Sequence, residues 1–147
     1  MYFTENHKIV IASTTTAGAA GTATITSDAV DTAGFSRCCF IVPVGTMVTG
    51  AVTTFKLQQS SDDAATDAYS DVLGTSVAIA DDDDNKLKYL DVVRPGKRYL
   101  KVVVSRATQN ATIGGIIAVL GGPRSLPPTQ GTNVAGEKHT SAAEGTA

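Results

Sequence analysis

The residues best suited to chemistry are carboxylates. Asp81, Asp82, Asp83 and Asp84 are consecutive, and Asp62, Asp63, Asp67 and Asp71 crowd a second short stretch. Carboxylate oxygens could ligate a hard cation such as Ca²⁺ or Mg²⁺, and paired carboxylates could divide acid and base work between them. A calcium loop of the EF-hand kind needs oxygen ligands at alternate positions, glycine sixth and glutamate twelfth. Counting from Asp81, the sixth residue is Lys86 and the twelfth is Val92, so the pattern fails. Contiguous carboxylates repel one another, and neighbours on extended chain point apart. Three readings of the run stand: a solvated charged connection bending at Asp84-Asn85, an adventitious divalent-cation site, and a functional metal site. The expectation is the charged connection, whose aspartates would also discourage pairing with foreign strand edges. The acids of 62–71 lie in one polar stretch without the apolar context that shifts the proton affinity of a catalytic pair.

Other nucleophiles and ligands are sparse. Cys38 and Cys39 are adjacent, so on a strand they face opposite ways and are expected to be two reduced structural thiols, in keeping with an intracellular origin. With His7 and His139 far apart in sequence, a zinc cluster lacks ligands. No G-x-S-x-G elbow occurs, and the glycines of "GAAG", "IGG" and "LGG" lack the lysine and the strand-to-helix context of a phosphate loop. The expectation is a chain that is not an enzyme and holds no cofactor.

The elements that must position these residues are strands. Charged residues are 18% of the 147, aromatic residues 5%, and tryptophan is absent, while Ala, Thr, Ser, Gly and Val recur throughout. Thr, Val and Ser disfavour long helices and suit short strands joined by turns. Candidate strands span 7–13, 22–27, 37–44, 48–60, 76–80, 86–93, 98–105 and 112–120. Several alternate in character, placing Phe55 and Leu57 on one face against Lys56 and Gln58, and Leu100, Val102 and Val104 against Tyr99, Lys101 and Val103. "CCFIVPV" and "IGGIIAVLGG" are nearly continuous in apolar character, as expected of central strands in a sandwich. Pro95-Gly96 suits a type II turn, and Asn110 a left-handed position. Many short strands at even spacing predict an all-β fold, a single antiparallel β-sandwich or jelly roll. The expected organisation is an N-terminal arm and first strand over 1–20, the sandwich over 21–122, and an extended C-terminal arm over 123–147. A core poor in large rings gains less from burial, so association is an expected source of stability.

The small-residue stretch 13–23 and the proline-bearing end after Gly122 read as flexible. That end has too few large apolar groups for a core of its own, and is expected to become ordered by lying against another molecule or subunit. Net charge is −2 with a pI of about 5.5, so no basic field draws in nucleic acid. A local patch of Arg94, Lys97, Arg98 and Arg106 near Tyr89 and Tyr99 is small, and the expectation is no nucleic-acid partner. Apolar runs are shorter than a membrane helix needs, and the N-terminus lacks the pattern of a secretory signal, so a soluble chain made in a cytoplasm is expected.

The stretch running from "FKLQQSSDDAATDAYSDV" through "KLKYLDVVRPGKRYLKVVVSR" to "IGGIIAVLGGPRSLP" resembles small proteins encoded among tailed-phage structural genes. In these, an F-K-L-Q strand leads into an acidic loop, and an R-P-x-K-R-Y hairpin precedes a closing apolar strand and a proline-bearing exit. The resemblance, over about residues 55–128, is to the capsid decoration (cement) class. It implies a non-enzymatic β-rich virion protein on the outer surface of an assembled head, often a homotrimer, that clamps neighbouring major capsid subunits. Many copies on one shell need only modest interfaces each. Candidate partner-binding residues are Arg94, Lys97, Arg98 and Tyr99 of the "RPGKRY" segment, Leu126, Pro127 and Pro128 of the exit arm, and the rings of Tyr2 and Phe3. The alternatives are another virion component, such as a head fibre base, a minor capsid subunit or a tail protein, and a carbohydrate-binding sandwich. The absence of tryptophan and scarcity of tyrosine weigh against the last.

Overall fold

The computed structural model describes residues 1–13, 19–141 and 144–145. A single helical turn, α1 (Phe3–Asn6), precedes twelve strands: β1 (His7–Ser13), β2 (Ala19–Gly21), β3 (Ile25–Thr26), β4 (Val30–Asp31), β5 (Phe35–Met47), β6 (Val52–Ser60), β7 (Ser70–Asp71), β8 (Val77–Ile79), β9 (Leu87–Val93), β10 (Tyr99–Ala107), β11 (Ala111–Ile113) and β12 (Ile116–Pro123). Of the stretch read as flexible, 14–18 lies outside the described residues, as do the last positions 142–143 and 146–147 of the arm.

The strands form two antiparallel sheets. In the first, β12 and β11 run one after the other along one side of β5, and β9 lies along its other side. The outer row beyond β12 and β11 is β1 followed by β2. The second sheet is built likewise: β3 and β4 flank β10, β6 lies on its other side, and β7 and β8 flank β6. Each sheet is thus four rows wide. In chain order the eight rows change sheet at every step but one, from β6 to β7 and β8, as in a jelly roll, so the all-β sandwich expected from the sequence is the observed fold.

Why rows break is readable in one place. Pro43 has no N–H to give the ladder, and at its level the β11–β12 row is interrupted by Gly114-Gly115, where the Gly114 N–H bonds the Pro43 carbonyl at 2.8 Å. A Cβ on Gly114 would come 3.1 Å from the ring of Pro43, tighter than an ordinary contact, so glycine suits this close approach.

The core is the space between the sheets. Cys38, Phe40, Val42 and Val44 of β5, with Ile116, Ala118 and Leu120 of β12, meet Phe55 and Leu57 of β6 and Leu100, Val102 and Val104 of β10. The alternation of β6 and β10 is as expected from the sequence.

Three local expectations are corrected. The segment "RPGKRY" is no hairpin: β9 pairs with β5 in one sheet and β10 with β6 in the other, so 94–98 crosses between layers. Its left-handed residue is Arg94 (φ 53°), not Gly96, so the Pro95-Gly96 type II turn is absent. After β10 the left-handed residue is Thr108 (φ 69°) rather than Asn110.

Candidate functional site

Side chains alternate across a strand, so every sheet of a two-layer sandwich has an outer face. In the second sheet that face is mostly polar: Lys56, Gln58 and Thr54 on β6, Tyr99, Lys101 and Ser105 on β10, with Lys56 paired to Asp71 at 2.6 Å, while Val103 and Val52 are its scattered apolar members. The first sheet differs. Register aligns Ile11 of β1, Ile117 of β12, Ile41 of β5 and Tyr89 of β9 in one row across all four strands. The adjacent row is Ile9, Val119, Cys39 and Asp91, and Pro43 pairs with Leu87 on the far side. Phe3 of α1 borders the second row beside Val119, Cys39 and Asp91, and among the described residues no third layer of strands or helices covers the face. Ile117 is 38% exposed, Leu87 65% and Tyr89 67%. A contiguous apolar face of this kind marks an interaction surface in a water-exposed protein. The sequence pattern alone does not reveal this face. "CCFIVPV" and "IGGIIAVLGG" do occupy central strands, but a central strand of a two-layer fold is covered on one side only.

At one end of this face the predicted residues gather. An open groove of about 490 Å³ is lined by Thr32–Ser36, 94–98, Gly122 and Arg124, where β5 begins and β9 and β12 end. It shares Gly34, Phe35 and Arg124 with a second groove, about 300 Å³, containing Lys8, Pro127 and Pro128. Leu126 and Pro127, joined by a cis peptide bond, also border Met1 and Glu5. The groove's floor depends on Gly122: its φ is +61°, and a Cβ there would collide with the Ser36 hydroxyl.

The basic residues divide by partner. Arg98 makes a fork to Asp31, Nε at 2.9 Å and Nη2 at 2.7 Å, and lies 5.0 Å over the Tyr99 ring. Lys97 grips both carboxylate oxygens of Asp67 at 2.9 and 2.7 Å. These two brace loops of their own chain. Tyr99 faces the outer side of the second sheet, away from the grooves. Arg94 carries no carboxylate partner among the described residues, nor do Arg124 and Arg37, which sequence reasoning did not single out. Arg106 is held by the backbone carbonyls of Ala19, Ala23 and Ala111, so it pins β2 against β11 rather than offering a basic patch.

Both arms fold back onto the sandwich. The Glu5 carboxylate accepts the Tyr2 N–H at 3.0 Å, closing α1, and Phe3 stacks on His7 at 4.3 Å between ring centres. The Gln130 side chain accepts the Ile9 N–H at 2.9 Å and donates to the carbonyls of His7 (2.7 Å) and Thr4 (3.2 Å). Further on, the Tyr2 hydroxyl meets Thr140 at 3.1 Å, and Lys138 pairs with Glu5. The exit arm therefore lies on its own first strand and N-terminus, a contact within the chain that sequence reasoning assigned to another molecule.

The aspartate run lies at the opposite end and is a structural knot rather than a merely solvated connection. Asp83 is buried; it accepts the Ala80 N–H at 2.8 Å and pairs with Lys86 and Lys88. The Lys88 ammonium, then the Ala80 amide and Lys86, hold its proton affinity far below the ordinary carboxylate range. Asp84 accepts the Met47 N–H and Asp81 the Gly50 N–H, fastening the β5–β6 connection, and Asn85 takes the expected bend at φ 58°. The run joins β8 in one sheet to β9 in the other, so it is a crossover and no hairpin tip.

The remaining candidates are also occupied. The Asp62 carboxylate accepts the amides of Thr66 and Asp67, closing its loop. Cys38 is fully buried, and desolvation pushes its thiol up to about 12; Cys39, half-buried on the outer face, is raised by the same cause. His7 Nδ1 meets the Phe3 carbonyl at 3.2 Å, and His139 pairs with Glu137.

No protein-family model and no curated protein matches the chain. Among solved structures, the PBSX exported protein XepA is similar, with a TM-score of 0.55 at 13% identity, over 100% of this chain and 45% of that one. What is shared is the fold. The chain spans less than half the length of XepA. A structure of infectious bursal disease virus, Gt strain, overlaps at a TM-score of 0.47 and 14% identity, over 82% of this chain and 34% of that one.

Proposed function

We propose that this chain is a non-enzymatic virion structural protein that binds the outer surface of an assembled phage head and stabilises it by bridging major capsid subunits. The observation that carries the reading is the apolar row Ile11–Ile117–Ile41–Tyr89 on the open face of the first sheet. An antiparallel sheet left in water shows mostly polar outer residues, as the second sheet does; a row apolar across all four strands is built to be covered. The grooved end beside it supplies Arg94 and Arg124, and the face itself Arg37, for acidic groups on a shell. The resemblance of residues 55–128 to decoration proteins supports the choice of a capsid as the cover, and the fold shared with an exported phage protein is compatible with it. Homotrimeric grouping around a shell threefold is the arrangement that resemblance implies. The protein would be made in the host cytoplasm and reside on the virion.

Binding on a closed shell adds stability by mass action, because only the assembled state offers the site. Purified chain mixed with expanded, undecorated heads of the phage that encodes it should co-sediment with them and raise their melting temperature. Ile117→Lys, altering an outward side chain only, should keep the native fold and lose binding. Heads that melt unchanged in excess chain, or Ile117→Lys binding as wild type, would reject the reading.

A further inference from the structure

The four long sides of the two sheets are not equally protected. Along β1, the outward His7 carbonyl and Ile9 N–H are taken by Gln130. The second sheet ends in β3, β4, β7 and β8, each only two or three residues long. β9 is the exception. Its seven residues pair with β5 from Arg37↔Val93 to Pro43↔Leu87 without a bulge, and among the described residues nothing bonds its far side. A long, regular, bare edge is a template for another strand.

The register shows which groups are on offer. The Val44 N–H donates to the Lys86 carbonyl, and the Arg94 N–H to Ser36, so even-numbered residues of this ladder bond β5. Leu87, Tyr89, Asp91 and Val93 therefore direct their N–H and C=O groups outward. Their side chains lie on the open apolar face, with Val93 as exposed as Tyr89 at 67%.

We propose that β9 is a self-association edge, pairing antiparallel with β9 of a second copy about a twofold axis through Leu90. That register sets Leu87 against Val93 and Tyr89 against Asp91 of the second copy, and the reverse. All four outward residues become hydrogen-bonded pairs at two bonds each, about eight in all. Charge selects it over its neighbours. An axis through Asp91 opposes two carboxylates; an axis through Tyr89 sets each Leu87 against an Asp91. The axis at Leu90 pairs apolar with apolar and places a phenol, a hydrogen-bond donor, against each carboxylate. An isologous contact of this kind closes on itself and forms no open filament. It would also join the two apolar faces into one sheet eight rows wide. The inference does not depend on the capsid reading.

The test is sedimentation equilibrium of the full chain up to about 0.1 mM, since small edge contacts fall in the weak class. A monomer–dimer equilibrium is expected, with the amides of residues 87, 89, 91 and 93 exchanging more slowly as the dimer fills. Asp91→Pro removes an outward N–H and leaves the β5 ladder whole, so it should keep the native circular dichroism and weaken association by more than about tenfold. Tyr89→Glu, which puts a second carboxylate opposite Asp91, should do the same without proline, and Tyr89→Lys should tighten the pair. A monomer at every concentration overturns the proposal. So does a dimer that survives both Asp91→Pro and Tyr89→Glu, or a trimer whose 87–93 amides exchange freely. Head binding by monomeric Asp91→Pro separates this proposal from the shell reading: retained binding leaves that reading intact.

Discussion

Gln130 offers the sharpest check on where the exit arm lies. Its half-buried amide makes three hydrogen bonds to the edge of β1 and the α1 turn, at 2.9, 3.2 and 2.7 Å. A net contribution of roughly 0.5–1.5 kcal/mol per bond gives a few kcal/mol before correction. Truncation to alanine returns side-chain freedom worth up to about 1.5 kcal/mol, so Gln130→Ala should cost about 1–2 kcal/mol. For a chain of this size that corresponds to a fall in Tm of about 2–8 °C, measurable by circular dichroism. The local readout is stricter. In the isolated wild-type chain the Ile9 amide should be protected from hydrogen exchange, and in Gln130→Ala it should exchange freely. Val10 bonds the other way, into β12, and serves as the internal control. By contrast, the contacts of the described residues in 132–147 are mostly exposed ones such as Lys138–Glu5, and deleting 132–147 should change stability by less than about 0.5 kcal/mol. An Ile9 amide that exchanges freely in the wild-type monomer, or one still protected in Gln130→Ala, would refute the docked arm.

Two further outcomes follow from charged and reactive groups. Asp67, held by Lys97 and the Ser61 amide and hydroxyl, has its pKa lowered to about 2; because the folded value lies below the unfolded one, its contribution is complete above about pH 4 and vanishes as pH falls towards 2. Urea midpoints of Asp67→Asn should therefore lie below wild type at pH 7 and converge with it near about pH 2; a constant gap would contradict the assignment. Cys38, with its thiol at about 12 inside the core, should resist a thiol reagent that labels Cys39 slowly, and denaturant should expose the second thiol; equal labelling of both in the folded chain would mean that β5 is in the wrong register.

The fold was legible because period-2 alternation in β6 and β10 and the turn residues between runs act locally. Phe55, Leu57, Leu100, Val102 and Val104 fell on the core side as their spacing requires. What was not legible depends on which sheet each strand joins. "RPGKRY" looks like a hairpin because proline and glycine separate two strand-like runs, yet those runs bond different partners. The aspartates looked solvated because their acceptors' partners, the amides of Met47 and Gly50, lie more than thirty residues away. Lys97 and Arg98 had the composition of an interface, but Asp67 and Asp31 already occupy them. Arg124 lies in the proline-bearing end that reads as flexible, yet the fold brings it into the same groove as Arg94.

The thickness of the molecule ties these points together. A third layer would hide the outer residues of β1, β12, β5 and β9, and the long apolar runs of β5 and β12 would then need no explanation. In two layers, half of each run faces outward, and Ile41, Ile117 and Val119 cannot all be excused by strand propensity, because Lys56, Gln58 and Lys101 occupy equivalent outer positions in the facing sheet. The same chain covers its β1 edge with Gln130 and keeps its second-sheet edges short, so exposure elsewhere is managed. Among the described residues, single apolar side chains such as Val52 and Leu73 are exposed elsewhere, but the aligned apolar rows and the longest bare edge adjoin, on the outer face of the first sheet and at β9. That adjacency, in a fold whose other edges are short or partly covered, is why the proposed binding surface is placed there.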